Sequence, residues 1–260
     1  MKILAIDSAT LAAGIAVLDD NRVVVEGYLH TRKVHSERLL PMLEHWLREA
    51  ELTLAEIDAL AVTTGPGSFT GIRIGMATAK SLAQVMNKPL LGIPTLDALA
   101  LNLAGSTGLI APMLDARKGE VYTAFYCSLR SDLLCRLSPY VAVAPDRLGQ
   151  WLRTGEWPRL ATPVDICTSQ AIPEATQTIC EPAASIIVLG EGIAAAGEIL
   201  RLELPHSLHF ALPGQNCLRP VQVAFLGLCA IRSGCRCSPL ETQPLYIRAS
   251  EAERTKGVLV

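Results

Sequence analysis

Two aspartates close apolar runs in the same local setting. Asp7 follows Ile3-Leu4-Ala5-Ile6 and opens the polar stretch Asp7-Ser8-Ala9-Thr10; Asp115 follows residues 109–114 and opens Asp115-Ala116-Arg117-Lys118-Gly119-Glu120. A carboxylate at a strand end, beside hydroxyl and backbone donors, suits a magnesium-bound phosphate. The structural use of the same residues is a turn whose Asp bonds its own backbone. Asp7, Ser8 and Thr10 are therefore candidate nucleotide-facing residues, and a small kinase or transferase built on Asp7 and Asp115 is one function to test. A second candidate is Gly65-Pro66-Gly67-Ser68-Phe69-Thr70-Gly71, set between a strand and a helix, where backbone N–H groups can cradle a phosphate. It departs from two standard patterns: a Walker A loop needs Lys and Ser/Thr after its last Gly, where Ile72 and Arg73 stand, and a dinucleotide fingerprint needs Gly in place of Thr70. The segment reads first as a tight strand-to-helix turn with Ser68 or Thr70 as the helix cap.

Other chemistry is thinly supported. None of the histidines forms the i, i+4 pair of a helical metal site: His30 and His35 flank a polar loop, His45 lies on a helix, and His206 and His209 lie near prolines. The 8 cysteines are diluted in a long apolar chain and read as free thiols; Cys229, Cys235 and Cys237 lack a second pair at zinc spacing.

The elements that must position these residues follow from hydrophobic period. Residues 3–6, 14–18 and 23–28 read as a three-stranded meander, and the strand, polar turn and return strand recur at 109–114 and 121–126, which points to duplicated half-domains. Helices over 37–50, 71–86 and 96–103 alternate with strands over 57–63 and 89–93, giving an α/β layered domain with parallel pairing. Residues 154–183 carry four prolines among Thr, Ser and Cys and read as irregular. A strand over 186–189, a helix over 193–200 and a last helix over 221–231 follow, the last packing back on the first domain.

Composition narrows the function. The chain has 260 residues, 50% hydrophobic and 5% aromatic, so its core is aliphatic and base-stacking nucleic-acid modules are disfavoured. With Lys plus Arg 23 against Asp plus Glu 25, no global positive field draws in RNA or an anionic bilayer. Asp7 interrupts the first apolar run too early for a signal peptide or a membrane span, so the chain reads as soluble and cytoplasmic.

A partner surface is expected on two helices. The helix over 37–50 carries Leu39, Leu43 and Trp46 on a wide apolar surface, and Gly71, Gly75 and Ala79 recur at i+4 beside Ile72 and Met76, a flat lane along which another backbone can come close. On this reading Gly75→Leu separates folding from partner binding.

Together these residues resemble a known family. Ile3-Leu4-Ala5-Ile6-Asp7-Ser8-Ala9, His35-Ser36-Glu37 with Leu40-Pro41, residues 65–75, Ile93-Pro94-Thr95-Leu96-Asp97-Ala98-Leu99-Ala100 and Asp115-Ala116-Arg117 with Gly119-Glu120-Val121-Tyr122 are similar to the TsaB family of tRNA threonylcarbamoyladenosine biosynthesis proteins. The match is dense to residue 126; beyond it only Leu189-Gly190-Glu191-Gly192 and Tyr246-Ile247-Arg248 fit the pattern. The resemblance implies the actin-like ATPase (ASKHA) fold, α/β, in two related subdomains with mixed sheets. These would be residues 1–104, a more irregular 105–217, a helix over 218–232 packing on the first subdomain, and a tail over 233–260. It also implies a non-catalytic subunit that binds and activates the catalytic subunit TsaD for threonylcarbamoylation of adenosine beside the tRNA anticodon. TsaE is the implied third partner, and tRNA would be met only through the complex. The chain would form a homodimer when alone and have no cofactor of its own, with ATP or ADP at the complex interface. Placing the metal-binding His-x-Glu-Gly-His motif of the relative TsaD on this chain sets Thr95 and Leu99 at the two histidines, so the resemblance implies no metal site. Ala9 likewise replaces the Gly of the superfamily's phosphate loop.

Overall fold

In β1 (Lys2–Asp7) successive side chains enter different cores, Ile3 and Ala5 on one face and Leu4 and Ile6 on the other. A strand covered on both faces reads as an unbroken apolar run, and this one does. β2 (Ala12–Asp19) returns antiparallel to β1, and β3 (Arg22–His30) returns antiparallel to β2. After α1 (Leu39–Glu49) come β4 (Ala59–Gly65), α2 (Phe69–Met86), β5 (Leu90–Pro94) and the short α3 (Thr95–Ala100). β4 runs parallel to β1 and β5 parallel to β4, so the first sheet has the order β3-β2-β1-β4-β5. The computed structural model describes residues 1–30, 37–130, 133–172, 185–235 and 238–248; His35, Ser36, Cys180, Cys237 and residues 249–260 lie outside them.

The second half contains β6 (Leu109–Asp115), β7 (Val121–Thr123), β8 (Tyr126–Arg130), β9 (Leu133–Arg136), β10 (Val141–Val143), α4 (Pro145–Thr154) and β11 (Val164–Asp165). It continues through β12 (Ile186–Leu189), α5 (Ile193–Glu203), β13 (Leu208–Phe210) and α6 (Pro220–Arg232). Its strands β10-β7-β6-β12-β13 repeat the first sheet in order and sense: antiparallel, antiparallel, parallel, parallel. The repetition is the structural counterpart of the two Asp-ended units, and the fold is α/β with two related halves and mixed sheets.

The layers follow from which residues share a core. α1 and α2 cover one face of the first sheet. α3 and α6 lie in the core between the two sheets, and α4 and α5 close the outer face of the second. α6 comes close because Gly227 faces Ala61, where an added Cβ would stand 2.9 Å from the alanine methyl. Glu26 receives the start of that helix, accepting the Val221 N–H at 3.1 Å and pairing with Arg219.

Three expectations are corrected. The strand read over 121–126 breaks at Ala124-Phe125, because the Phe125 N–H turns to Ser138 Oγ at 2.9 Å and its carbonyl accepts the Leu137 N–H at 2.7 Å. The irregular stretch begins where it was expected but includes β11, and α4, a helix absent from the sequence reading, precedes it with Pro145 in its first turn. Cys127 is disulfide-bonded, whereas Cys135, Cys217 and Cys229 are free thiols; dilution along the sequence does not register proximity in space. No helix among the described residues is long and apolar enough to cross a membrane.

Candidate functional site: the cleft between the halves

The glycine-rich loop cradles this chain's own backbone. A Cβ on Gly71 would overlap the Ser8 carbonyl oxygen, one on Gly67 the Ala9 carbonyl oxygen, and one on Gly75 the Ser8 hydroxyl. The Ser68 N–H donates to the Ala9 carbonyl at 2.7 Å and the Ser8 hydroxyl to the Gly71 carbonyl at 2.8 Å, so the turn after β1 is clamped under the start of α2. Ser68 is the helix cap, its Oγ accepting the Gly71 N–H at 3.2 Å. The Ser68 N–H, one of the amides of this loop that could meet a phosphate, is thus already engaged.

The two aspartates occupy equivalent turns with different exposure. Asp7 Oδ1 accepts the Ala9 N–H at 3.0 Å and the Thr63 hydroxyl at 2.8 Å. Asp115 Oδ1 accepts the Arg117 N–H at 2.7 Å in the same i to i+2 manner. Asp7 and Ser8 are fully buried, so of the expected nucleotide-facing residues only Thr10 reaches the cleft. Burial pushes the Asp7 carboxyl up to about 6 from 3.8, against the hydrogen bonds that oppose the shift.

This shift has a measurable sign. With the native carboxyl raised, the stability tied to its proton is complete below pH 3.8 and lost as pH rises through about 6. Asp7→Asn, which keeps the acceptor, is expected to stabilise the chain at pH 7 by up to about 3 kcal/mol and to change little at pH 4. Urea denaturation of both chains at the two pH values checks this; an equal effect at both would refute it.

The cleft has a volume of about 840 Å³, within the size range of small-molecule sites. Its first wall is Thr10, Leu11 and residues 66–70; its second is residues 115–119, Tyr122 and Glu191. Glu191 ties the walls together by accepting the Leu11 N–H at 3.1 Å, and burial, reinforced by Asp115, raises its carboxyl.

The third wall, Leu245 to Arg248, belongs to the stretch read as a tail. The Leu245 N–H donates to the Thr64 carbonyl at 2.8 Å, and the Thr242 hydroxyl to the Leu90 carbonyl at 3.1 Å. Gly65, with φ +119°, leaves room for this crossing: a Cβ there would stand 2.6 Å from the Leu245 oxygen. Tyr246 packs on Phe69 with ring centroids 5.2 Å apart and accepts from Arg73 Nε at 3.1 Å, while Arg248 pairs with Glu120 of the second half. The segment therefore bridges both halves, a role visible in the sequence only as the motif Tyr246-Ile247-Arg248. Tyr246→Ala is expected to lower stability by about 1–2 kcal/mol. Limited proteolysis should then cut the C-terminal stretch first; an unchanged digestion pattern would refute the bridge.

The expected partner lane faces inward. Leu39, Leu43, Met76 and Ala79 are buried in the core against the first sheet, Ile72 is buried beside Gly65 at the cleft, and Trp46 packs over Gly27. Gly71, Gly75, Ala79 and Ala83 form the buried ridge of α2, while Phe69, Arg73, Ala77, Ser81 and Val85 form its exposed one. The two ridges are offset by two residues, about 200° around the helix. The small residues are explained by the approach of the turn after β1.

Thr95 and Leu99 also lie in the core on α3 and offer no ligand pair; among the described residues no three His, Cys, Asp or Glu side chains converge to hold a metal. The acidic residue between them, Asp97, is engaged elsewhere: Tyr126 and Tyr140 donate to it at 2.6 and 2.8 Å, with Arg136 Nε at 3.6 Å. This buried cluster joins α3 to the second half and was not foreseen, because its members are far apart in sequence. As for the aspartate pair of a kinase or transferase, the cleft receives Asp115 alone.

Comparison with known proteins places this architecture. The family described as TsaD, tRNA N6-adenosine threonylcarbamoyltransferase, matches residues 29–218. The tRNA threonylcarbamoyladenosine biosynthesis protein TsaB of Bacillus subtilis is 37% identical over 152 residues, 58% of this chain and 65% of that protein. The Escherichia coli TsaB is 43% identical over 129 residues, 48% of this chain and 55% of that protein. The matched region thus spans less than two thirds of these curated relatives. A solved Pseudomonas aeruginosa structure, described as an uncharacterized protein with similarity to peptidase YeaZ, superposes with a TM-score of 0.70 at 26% identity, covering 95% of this chain and 99% of that one. The family match extends over most of the chain, which therefore belongs to the TsaD family of tRNA N6-adenosine threonylcarbamoyltransferases and stands within it beside the TsaB proteins.

Proposed function

We propose that the chain is an accessory, non-catalytic subunit of tRNA threonylcarbamoyladenosine biosynthesis that binds and activates TsaD. The observation that carries this reading is the filled core at Thr95 and Leu99: the scaffold of the transferase family is present where its metal ligands are replaced by a buried hydroxyl and an alkyl group. The clamped phosphate turn supports the same conclusion, and the burial of Asp7 weighs against a kinase or transferase working through Asp7 and Asp115. On this proposal the chain works in the cytoplasm and holds no cofactor of its own. ATP or ADP sits at the complex interface, TsaE joins as a third protein, tRNA is met through the complex, and the chain alone forms a homodimer.

On this proposal the docking surface for TsaD is the outward ridge of α2, because its inward lane is buried. Val85 is 87% exposed there, and Leu40 on the neighbouring helix is 52% exposed, both large apolar side chains in water. A titration of labelled TsaD tests this. Ala77→Glu is expected to weaken binding by at least about tenfold, the loss of a central apolar contact, while leaving thermal stability near that of the parent. Native affinity in this variant would move the interface elsewhere. Failure of the parent chain to bind TsaD or to stimulate its tRNA modification would overturn the function itself.

A further inference from the structure

The two sheets end differently at their edges. In the first sheet β5 is met by the C-terminal segment, the Thr242 hydroxyl donating to the Leu90 carbonyl, and in the second the end strands are short, 3 residues each in β10 and β13 and 2 in β11. β3, with 9 residues, closes the other end of the first sheet, and no strand lies beyond it among the described residues. An edge strand leaves half of its N–H and C=O groups unpaired, and natural proteins blunt such edges with Lys, Pro, bulges or brevity. β3 has neither Lys nor Pro, and its apolar side chains Tyr28 and Leu29 are 41% and 46% exposed. Its one irregularity is at Val24, which the register skips, since Val17 stands opposite Val25 and Leu18 opposite Val23. The regular open run is therefore Val25 to His30.

We propose that a second copy of this chain occupies this edge, its β3 pairing antiparallel with the first about a two-fold axis at Gly27, so that two 5-stranded sheets join into one. The inference rests on the reading that the chain alone forms a homodimer, and it assigns that dimer its surface. Closure favours a second copy as the occupant. Each chain offers one such edge, a two-fold uses both, and the assembly stops at two. The side chains fix the register. Val25 and Leu29 stand beside Val17 and Ala13 on the face covered by α1, whereas Glu26 and Tyr28 stand beside Ala16 and Gly14 on the face that meets α6. A two-fold at Gly27 sets Val25 opposite Leu29 of the second copy and Glu26 opposite Tyr28 of the second copy, so apolar meets apolar and no charge meets its like. Moving the axis to Glu26 would set that carboxylate against its own copy, and moving it to Tyr28 would leave Leu29 facing Gly27. A five-residue ladder is a short contact, which puts the dimer in the weak class of interfaces below about 1,200 Å². A net charge of −2 per chain adds little repulsion.

Sedimentation equilibrium of the full chain over roughly 1–200 μM reads the association. The expected result is a monomer–dimer equilibrium with its midpoint inside that range. Leu29→Lys, at a position already exposed in the single chain, should weaken the dimer by at least about tenfold while leaving the thermal midpoint near that of the parent. Register is read by cross-linking, which needs no weakened variant. Val25→Cys and Leu29→Cys chains are mixed, mildly oxidised and mapped as non-reduced peptides, and a link between positions 25 and 29 of different chains is expected, with none from position 25 to itself. A parent chain that stays monomeric throughout would overturn the homodimer reading and this surface with it. A dimer that Leu29→Lys leaves at parental affinity, or the absence of a link between positions 25 and 29, would leave the homodimer standing and overturn β3 as its interface.

Discussion

Gly71→Leu is expected to leave no folded protein. A Cβ at this position meets the Ser8 carbonyl oxygen, and that oxygen has nowhere to go. Its residue is bonded to the Gly71 carbonyl through Ser8 Oγ, the next carbonyl along accepts the Ser68 N–H, and Asp7 before it is bonded to Thr63. Overpacking a side chain against other side chains costs about 1–3 kcal/mol because they can turn aside. Here the obstacle is clamped backbone at the centre of the first sheet, so the loss lies beyond that range and is comparable to the roughly 5–15 kcal/mol total stability of a domain. Gly75→Leu acts in the same direction by displacing the Ser8 hydroxyl, so it cannot serve as the test of partner binding that the sequence suggests. Ala77→Leu, on the exposed ridge, is the control and is expected to stay within about 0.5 kcal/mol of the parent. Soluble yield and urea denaturation of the three variants decide the matter. A Gly71→Leu chain with a native midpoint would mean that the turn and helix do not approach as described.

Asp97→Ala is expected to cost about 3–5 kcal/mol, the range for breaking a buried charged cluster from one side. Its carboxylate receives two phenol hydroxyls and stands beside the Arg136 guanidinium, which also stacks on Tyr140 at 4.2 Å. Removing it strands two buried donors and a cation together. At roughly 2–4 °C per kcal/mol for a chain of this size, the thermal midpoint should fall on the order of 10 °C. Asp97→Asn keeps an acceptor and loses the charge, so its midpoint should lie between those of Asp97→Ala and the parent. If the cluster acts as one unit, Tyr126→Phe in the Asp97→Ala background should cost less than it does alone. Equal costs in both backgrounds would show that the tyrosine and the aspartate are energetically independent.

What the sequence determined by itself was local. The two Asp-ended strands, the meander after Asp7, a helix capped at Ser68 or Thr70 and the strand and helix alternation are each set by hydrophobic period and capping within a few residues, and all stand in the structure, with Ser68 as the cap. The duplication was legible for the same reason, since its signature is one short pattern written twice. The tertiary structure alone decided what each surface meets. The spacing Gly71, Gly75, Ala79 says that something comes close, and the same spacing would serve a partner helix or the chain's own turn; long-range packing chose the turn. The glycine loop that could have held a phosphate holds Ser8 and Ala9, and the stretch read as a tail forms a wall of the cleft. Asp97 finds Tyr126 and Tyr140 only once both halves are assembled. Backbone period and caps act over one or two turns of chain, whereas close approach and burial depend on which distant segment arrives, and no local spacing encodes that.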